Sequence, residues 1–487
     1  MTDVDHREKW RAFTAIGISF VTAVFSTSMV FVALPAIADD FDVTLGEVGW
    51  VVIVEALTVA SVMLPAGRVA DLVGRRRMHL WGLAVFGTGA LAVSLAPTFG
   101  LLIAARVVMA VGNSMGQSVG TAMIVAIFPP EERGRSLGAQ TSAVAIGAAS
   151  GPILGGLLLS VLPWQALFQL LLLPIAVAFV AGVRLLREDQ VTPLASRGQT
   201  RFDPGGAILS ALFFTVIVLV MNNPLDVGWT SPAMLLGMAS AVGVLAGFVA
   251  YERRVADPML DVRLFANRTF ALAVGARLFG FTGSTLTYFL TPILLIAVRD
   301  LEEAAAGAIM LLNSLGMGIA AQLSGRTSDR YGPTRIASVG LVVMAGALAV
   351  FAAMDVSTPL LLFCALVFVQ GFSLGSWNVP NNSTIISSVD DSDHGVVGAF
   401  TNLTRTMGNV VGQAMATVIV ASVMDDRGFD IPLGDIADVP GAGDAFVSGW
   451  SWAFGVGASC AVLAAACTLL AGRTPRRLTG VRHSGGV

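Results

Sequence analysis

The chain has 487 residues, of which 55% are hydrophobic and only 13% charged, with a mean hydropathy of +0.78 and a net charge of -3. Soluble domains are about 45–50% apolar and about 25% charged, so too few charges remain to solvate a globule of this size. The small negative net charge excludes nucleic acid as a partner, which demands a clustered basic face.

The composition is that of a polytopic membrane protein with the lipid bilayer as solvent. A crossing helix needs about 20 mostly apolar residues. Apolar runs between charge, Pro or Gly breaks predict fourteen spans, near 13–36, 46–67, 78–96, 100–127, 137–160, 165–186, 204–222, 232–250, 269–297, 304–324, 335–354, 359–386, 396–423 and 448–471. The first is longer than a signal-peptide core and has no small-residue cleavage site after it. Cys364, Cys460 and Cys467 lie in apolar runs without metal-ligand spacing, so no disulfide framework, metal or cofactor is expected.

Basic residues set the orientation. With the N-terminus inside, only Arg299 and Arg427 of the 29 Lys and Arg fall outside, and Arg106, Arg277 and Arg405 fall within spans. This bias predicts cytoplasmic N- and C-termini. Among the acids, Asp39, Asp40, Asp42 and Glu47 cluster outside, as does the stretch from Asp425 to Asp444, and Glu55 alone lies well inside a span. Thr44-Leu-Gly-Glu47 reads as a capping box opening the second helix, which sets Glu55 at a depth of about 16 Å by helical rise. No histidine, paired carboxylates or nucleophile-base motif is expected within the membrane, which argues against an enzyme. The absence of a G-x-x-x-x-G-K-[ST] loop excludes direct ATP drive.

The pattern G-R-x-x-D-x-x-G stands twice in the same topological place. Gly67 to Gly74, with Asp71 and the following Arg75, Arg76 and Arg77, closes span two; Gly325 to Gly332, with Asp329 and Arg330, closes span ten. Two like halves with a site between them near the midplane are a transporter design.

The first copy resembles the G-x-x-x-D-x-x-G-R-[KR]-x signature of the major facilitator superfamily. Arg106-Val-Val-Met-Ala-Val-Gly112 in span four is similar to its intramembrane arginine motif, and Gly147-Ala-Ala-Ser-Gly151-Pro152-Ile-Leu-Gly155-Gly156 in span five to the motif of its drug antiporters. With fourteen spans, Val32-Ala-Leu-Pro35, Pro258-Met-Leu-Asp261-Val-Arg263-Leu-Phe265 and Arg405-Thr-Met-Gly408-Asn-Val-Val-Gly412, nearly the whole chain resembles the fourteen-helix drug:proton antiporters of EmrB/QacA type. The resemblance implies an all-α major facilitator fold of two pseudo-symmetric six-helix bundles. Its parts would be a cytoplasmic tail (1–12), an N-terminal bundle (13–187), linkers with an inserted transmembrane hairpin (188–268), a C-terminal bundle (269–471) and a cytoplasmic tail (472–487). It also implies a monomer in a bacterial inner membrane that exports hydrophobic or amphipathic compounds, such as drugs, in exchange for protons.

Site roles follow from the same resemblance. Gly67, Asp71, Gly74, Arg75, Asp329 and Arg330 would form a cytoplasmic gate, the alternative being that the arginines only anchor topology. Gly147, Gly151, Pro152, Gly155 and Gly156 would form a hinge or a plain small-residue seam. Members of the family usually present an Asp near the place of Ser26, where this chain has none. Glu55 is therefore expected to carry the proton, with Arg106 as the group that biases it; the competing reading is a structural Glu held by Ser26 or Thr58. Ser26, Asn113, Gln117, Arg277, Tyr288, Trp377, Asn378, Asn381 and Arg405 are expected to line the substrate cavity. Three arginines against one glutamate keep open an anionic or zwitterionic lipid or metabolite as cargo. A transport-inactive sensor on the same fold is the remote alternative.

Overall fold

The computed structural model describes residues 6–472 except 192–201, 224–226, 230, 391–392, 430, 432–435 and 437–438; the tail segments 1–5 and 473–487 lie outside it. Among the described residues there is no strand. The fourteen long helices are α1 (His6–Phe41), α2 (Trp50–Val73), α3 (Arg75–Ser94), α4 (Phe99–Ile127), α5 (Arg133–Leu159), α6 (Trp164–Leu185), α7 (Pro204–Asn222), α8 (Pro232–Glu252), α9 (Arg268–Ile293), α10 (Glu303–Tyr331), α11 (Pro333–Ala352), α12 (Leu360–Ser387), α13 (His394–Asp425) and α14 (Ala442–Gly472). Thirteen are long and apolar enough to cross a membrane. The other is α3, 20 residues long, whose apolar stretch is diluted by Arg75, Arg76, Arg77 and His79 at its start. Each predicted span thus corresponds to one long helix.

Local sequence explains where the helices break. Both copies of the repeat end on a glycine at positive φ, Gly74 at 101° and Gly332 at 90°, and the next helix starts at the following residue. Only glycine takes that conformation at low cost, so the repeat is a helix-turn-helix corner used twice. Thr98, Asp203, Ser231 and Asn267 cap α4, α7, α8 and α9 by accepting from backbone N–H groups in their first turns.

The capping box forms as expected, with Thr44 N–H donating to Glu47 Oε2 at 2.9 Å and Glu47 N–H to Thr44 Oγ1 at 3.2 Å. It caps a separate single turn, Leu45–Val48, and α2 starts at Trp50. Gly49 between them keeps right-handed helical dihedrals (φ -54°, ψ -27°) and its carbonyl accepts from Val52 and Ile53, so the chain winds on from the box into α2 and toward Glu55.

Helices α1–α6 and α9–α14 form two bundles, each with its own apolar core, and a further cluster around Phe20, Met123, Ala321 and Ile386 spans both. The α7–α8 hairpin packs on α2 and touches α13, sharing a core patch around Met63, Phe214, Val218, Phe248 and Leu403. Between the bundles, α5 lies along α10, and α2 and α4 lie against α13. The interbundle hydrogen bonds fall toward the end that carries the repeated arginines. There Ser142 Oγ donates to Gly318 O (3.0 Å) and Gln322 Nε2 to Ser142 Oγ (3.1 Å). Toward the opposite end, α5 presents exposed Pro152, Ile153, Leu154 and Leu157. The bundles are thus closed on each other at the arginine-rich end.

Candidate functional site

Glu55 on α2 and Arg106 on α4 meet. Arg106 Nη2 donates to Glu55 Oε2 in a short ion pair between side chains that are both buried. Arg106 is further held by Val51 O (3.3 Å from Nε) and Met109 Sδ (3.5 Å from Nη1), and its guanidinium stands 5.9 Å from the centre of the Phe168 ring. The other carboxylate oxygen, Oε1, accepts from Thr27 Oγ1 at 2.8 Å and Asn113 Nδ2 at 3.5 Å. A buried charge pair is tolerable only with its remaining hydrogen-bonding capacity met, and here α1, α2 and α4 supply the partners. Ser26 does not: it is fully buried and its Oγ has no hydrogen-bond partner. The turn of α1 brings the neighbouring Thr27 to the carboxylate instead, which corrects the placing of Ser26 in the cavity.

From Glu55 a line of amides runs to the other bundle. Asn113 Oδ1 accepts from Gln117 Nε2 at 3.0 Å, and Gln117 Oε1 accepts from Arg405 Nη2 on α13 at 3.0 Å. Asn113 and Gln117 are four residues apart on α4, so they share one helix face. Every link donates in the same direction, from Arg405 toward the Glu55 carboxylate. Asn402, also on α13, donates to Gln117 O (3.2 Å) and Thr121 Oγ1 (3.3 Å) across the same interface.

The repeat forms a two-fold latch at the arginine-rich end. Asp329 accepts from Gly134 N–H (3.0 Å) and Arg135 N–H (3.2 Å) at the start of α5. Its counterpart Asp71 lies against Gly395 at the start of α13, where an added Cβ would collide with the carboxylate. Each repeat acid thus meets the positive end of a helix dipole in the opposite bundle. Gly67 fits against Ala399, whose Cβ would be 2.8 Å from any Cβ placed there. Arg75 works within its own half: Nη2 reaches Asp71 Oδ1 (3.4 Å) one helical turn away, and Nη1 the carbonyls of Ala122 and Val191 (3.4 Å each). Arg330 is exposed and stands over the Tyr331 ring. Beside the latch, burial pushes the Asp393 carboxyl above its usual range, aided by Asp390 and Asp261 and opposed by Arg68.

The small-residue run of α5 packs on α1, within one bundle. A Cβ on Gly147 would sit 3.0 Å from Val24 Cβ and 3.1 Å from Phe25 N, Gly151 abuts Ser28 and Met29, and Gly155 and Gly156 are less tightly enclosed. Pro152 is exposed on the other side of the helix. The C-terminal half repeats the arrangement, with Gly408 and Gly412 of α13 against Phe281 and Thr282 of α9.

In the C-terminal bundle, Arg277 Nε donates to Thr401 O (2.8 Å) and Nη1 to Asn378 Oδ1 (2.9 Å), and the guanidinium lies 5.1 Å from the centre of the Phe281 ring. Trp377 is wholly buried against Gly280 and Phe281, and Asn381 staples α12 to Ala273 O at 2.9 Å. Tyr288 is half-buried against the bundle core. Trp377 is therefore bundle core instead of cavity lining, a correction whose physical reason is that α12 turns this ring toward α9; Tyr288 packs on the same core, and Asn381 lines a small cavity with Ala273, Thr334 and Thr384. The expectation of no membrane histidine is also corrected: His79 on α3 is fully buried, 3.2 Å from Ser19 Oγ, beside a cavity of about 20 Å³ that Asn113 and Gln117 also line.

The family model of the Major Facilitator Superfamily matches residues 16–413 and 272–485. Among curated proteins, the chain is 28% identical over 409 residues to the riboflavin transporter RibZ of Clostridioides difficile, covering 84% of this chain and 87% of RibZ. It is 29% identical over 419 residues to the methylenomycin A resistance protein of Streptomyces coelicolor (85% and 86% covered), and 28% identical over 419 residues to the multidrug resistance protein Stp of Mycobacterium tuberculosis (86% and 77%). The human organic anion transporter MFSD10 has the same fold, with a TM-score of 0.65 at 16% identity over 93% of this chain and 99% of that one. Two pseudo-symmetric bundles, a latch used twice and a match that spans the chain lead to one assignment: this is a membrane transporter, not an enzyme, and it belongs to the Major Facilitator Superfamily.

Proposed function

We propose that this protein is a proton-coupled antiporter that exports amphipathic compounds by alternating access, with Glu55 as its proton carrier. The observation that carries the reading is the ion pair of Glu55 with Arg106, tied through Asn113 and Gln117 to Arg405 in the opposite bundle. The arginine-rich end is cytoplasmic on this reading, in keeping with the positive-inside bias, and the membrane is the bacterial inner membrane.

The chemistry follows from charge. With Glu55 ionised, the pair is neutral overall, and the carboxylate terminates the line of donors from Arg405. A proton arriving from outside neutralises the carboxyl and removes the anion that Arg106 and Asn113 both address. Arg106 keeps its own proton at physiological pH, so it serves as the bias on Glu55 and not as the carrier. The weakened end of the amide line loosens Gln117 from Arg405, leaving the latch at Asp71 and Asp329 and the neutral bonds of Ser142, Gln322 and Asn402 to hold the bundles together. Rocking of the bundles exposes the site to the cytoplasm, where the proton leaves and cargo enters. The resistance proteins among the relatives support a drug-like cargo.

The test is exchange in proteoliposomes of known orientation. An imposed pH gradient should drive movement of an amphipathic dye and, reciprocally, a dye gradient should move protons; dye movement indifferent to the pH gradient would refute antiport.

A further inference from the structure

The arginines of the two bundles are balanced differently. In the N-terminal bundle, Arg106 has Glu55. In the C-terminal bundle, Arg277 is bonded to the carbonyl of Thr401, which stands one helical turn before Arg405 on α13, so the two cations are neighbours. No Asp or Glu stands in α9 to α14 except in their end turns. Among the described residues, Arg277 and Arg405 are met only by neutral groups, the oxygens of Thr401, Asn378 and Gln117 and, for Arg277, the Phe281 ring. Arg277 makes two hydrogen bonds to these oxygens and Arg405 one, fewer than the five N–H donors each guanidinium carries. A buried Arg277 and a half-buried Arg405 with no counter-charge are costly at membrane depth, and such a cost is retained at functional sites.

We propose that Arg277 and Arg405 form the docking site for an anionic group, a carboxylate, sulfonate or phosphate on an otherwise apolar cargo. The planar guanidinium suits these groups because it donates two parallel hydrogen bonds to them. Arg277 is already aimed by Thr401 and Asn378 on two helices, so it is the fixed half of the clamp. Arg405 is the movable half, because its recorded partner, Gln117, belongs to the other bundle. An anion that draws Arg405 toward Arg277 takes it from Gln117, so cargo and proton act on opposite ends of the same line of amides. The proposal deepens the antiport reading and rests on it for the direction of movement. Exporting an anion while importing a proton carries net positive charge inward, so exchange should also respond to the membrane potential.

The experiment uses the full chain in nanodiscs and two dyes with the same xanthene ring, fluorescein as the anion and rhodamine 6G as the cation. Binding is read by fluorescence anisotropy without any gradient, for wild type, Arg277→Gln and Arg405→Gln, with melting curves to confirm that each variant is folded. The expected result is saturable fluorescein binding that weakens at least about tenfold in each variant, with rhodamine 6G binding unchanged or tighter. Should a variant melt early, dodecyl phosphate competing with fluorescein on wild type supplies the second reading. The site is overturned if wild type shows no saturable fluorescein binding, if rhodamine 6G binds more tightly than fluorescein, or if dodecyl phosphate fails to compete. Folded variants that hold fluorescein as wild type does overturn it as well. The two readings fail separately: fluorescein bound but never exchanged for protons refutes antiport and keeps the anion site, whereas gradient-driven rhodamine 6G export without fluorescein binding does the reverse.

Discussion

Arg405 of the C-terminal bundle donates to Gln117 of the N-terminal bundle at 3.0 Å, and the other end of the Gln117 side chain donates to Asn113 at 3.0 Å. One amide thus joins the two bundles and faces the proton site at the same time. Because a primary amide has an acceptor and donors at opposite corners, Gln117 transmits in one direction without carrying charge itself.

Removing that link has a defined effect. Gln117→Leu deletes both bonds at similar size while leaving Glu55 and Arg106 in contact. A hydrogen bond to a charged group contributes about 1.5–3 kcal/mol, so gradient-driven exchange should fall roughly tenfold or more, while the melting temperature drops by only a few degrees. Proteoliposome flux beside a thermal melt separates the two; wild-type flux in Gln117→Leu would remove the amide line from the mechanism.

The latch makes a conformational prediction. Asp329→Asn replaces a charge at the start of α5 that accepts from two backbone N–H groups. The loss of about 1 kcal/mol should raise the population open at the arginine-rich end roughly fivefold. Spin-label distances between the ends of α5 and α10 read this directly. An unchanged distance distribution would reduce Asp329 to a helix cap.

Within the glycine run of α5, the contacts rank the substitutions. Gly147→Leu drives a side chain into Val24 and Phe25, and overpacking of this kind costs about 1–3 kcal/mol. Gly156→Ala meets only Val32 Cγ1 at 3.9 Å and should leave folding and transport intact. Paired thermal melts check the contrast, which a uniform hinge role for all the glycines does not predict.

Asp393 gives a pH signature for stability. Its folded carboxyl is held above the usual range by burial, then by Asp390 and Asp261. An acid raised on folding destabilises the fold as pH climbs past the unfolded value, because the unfolded chain releases that proton first. Asp393→Asn should therefore raise the melting temperature at neutral pH and make no difference in acid, where both side chains are neutral. An equal gain at every pH would point to another cause.

The helical count and the repeat were legible in the sequence because apolar length and glycine placement are local properties. Gly74 and Gly332 mark the same corner in both halves, and the acids within the repeat, Asp71 and Asp329, find the opposite bundle because pseudo-symmetry carries them there. What depends on helix rotation was not legible. The choice of Thr27 over Ser26, the inward turn of Trp377 and the burial of His79 all follow from about 100° of rotation per residue, which a single sequence does not fix. Asn402 gave only the weak signal of an amide within an apolar run, three residues before Arg405.

The most direct test of the central claim compares wild type with Glu55→Gln in proteoliposomes under an imposed pH gradient. Gln keeps the size of the side chain and its contacts with Thr27 and Asn113 but cannot take up a proton. The account predicts that wild type accumulates an amphipathic dye against its gradient only when pH differs across the membrane, and that Glu55→Gln still equilibrates the dye but no longer responds to pH. Full gradient-driven accumulation by Glu55→Gln would contradict it, leaving Glu55 a structural partner of Arg106.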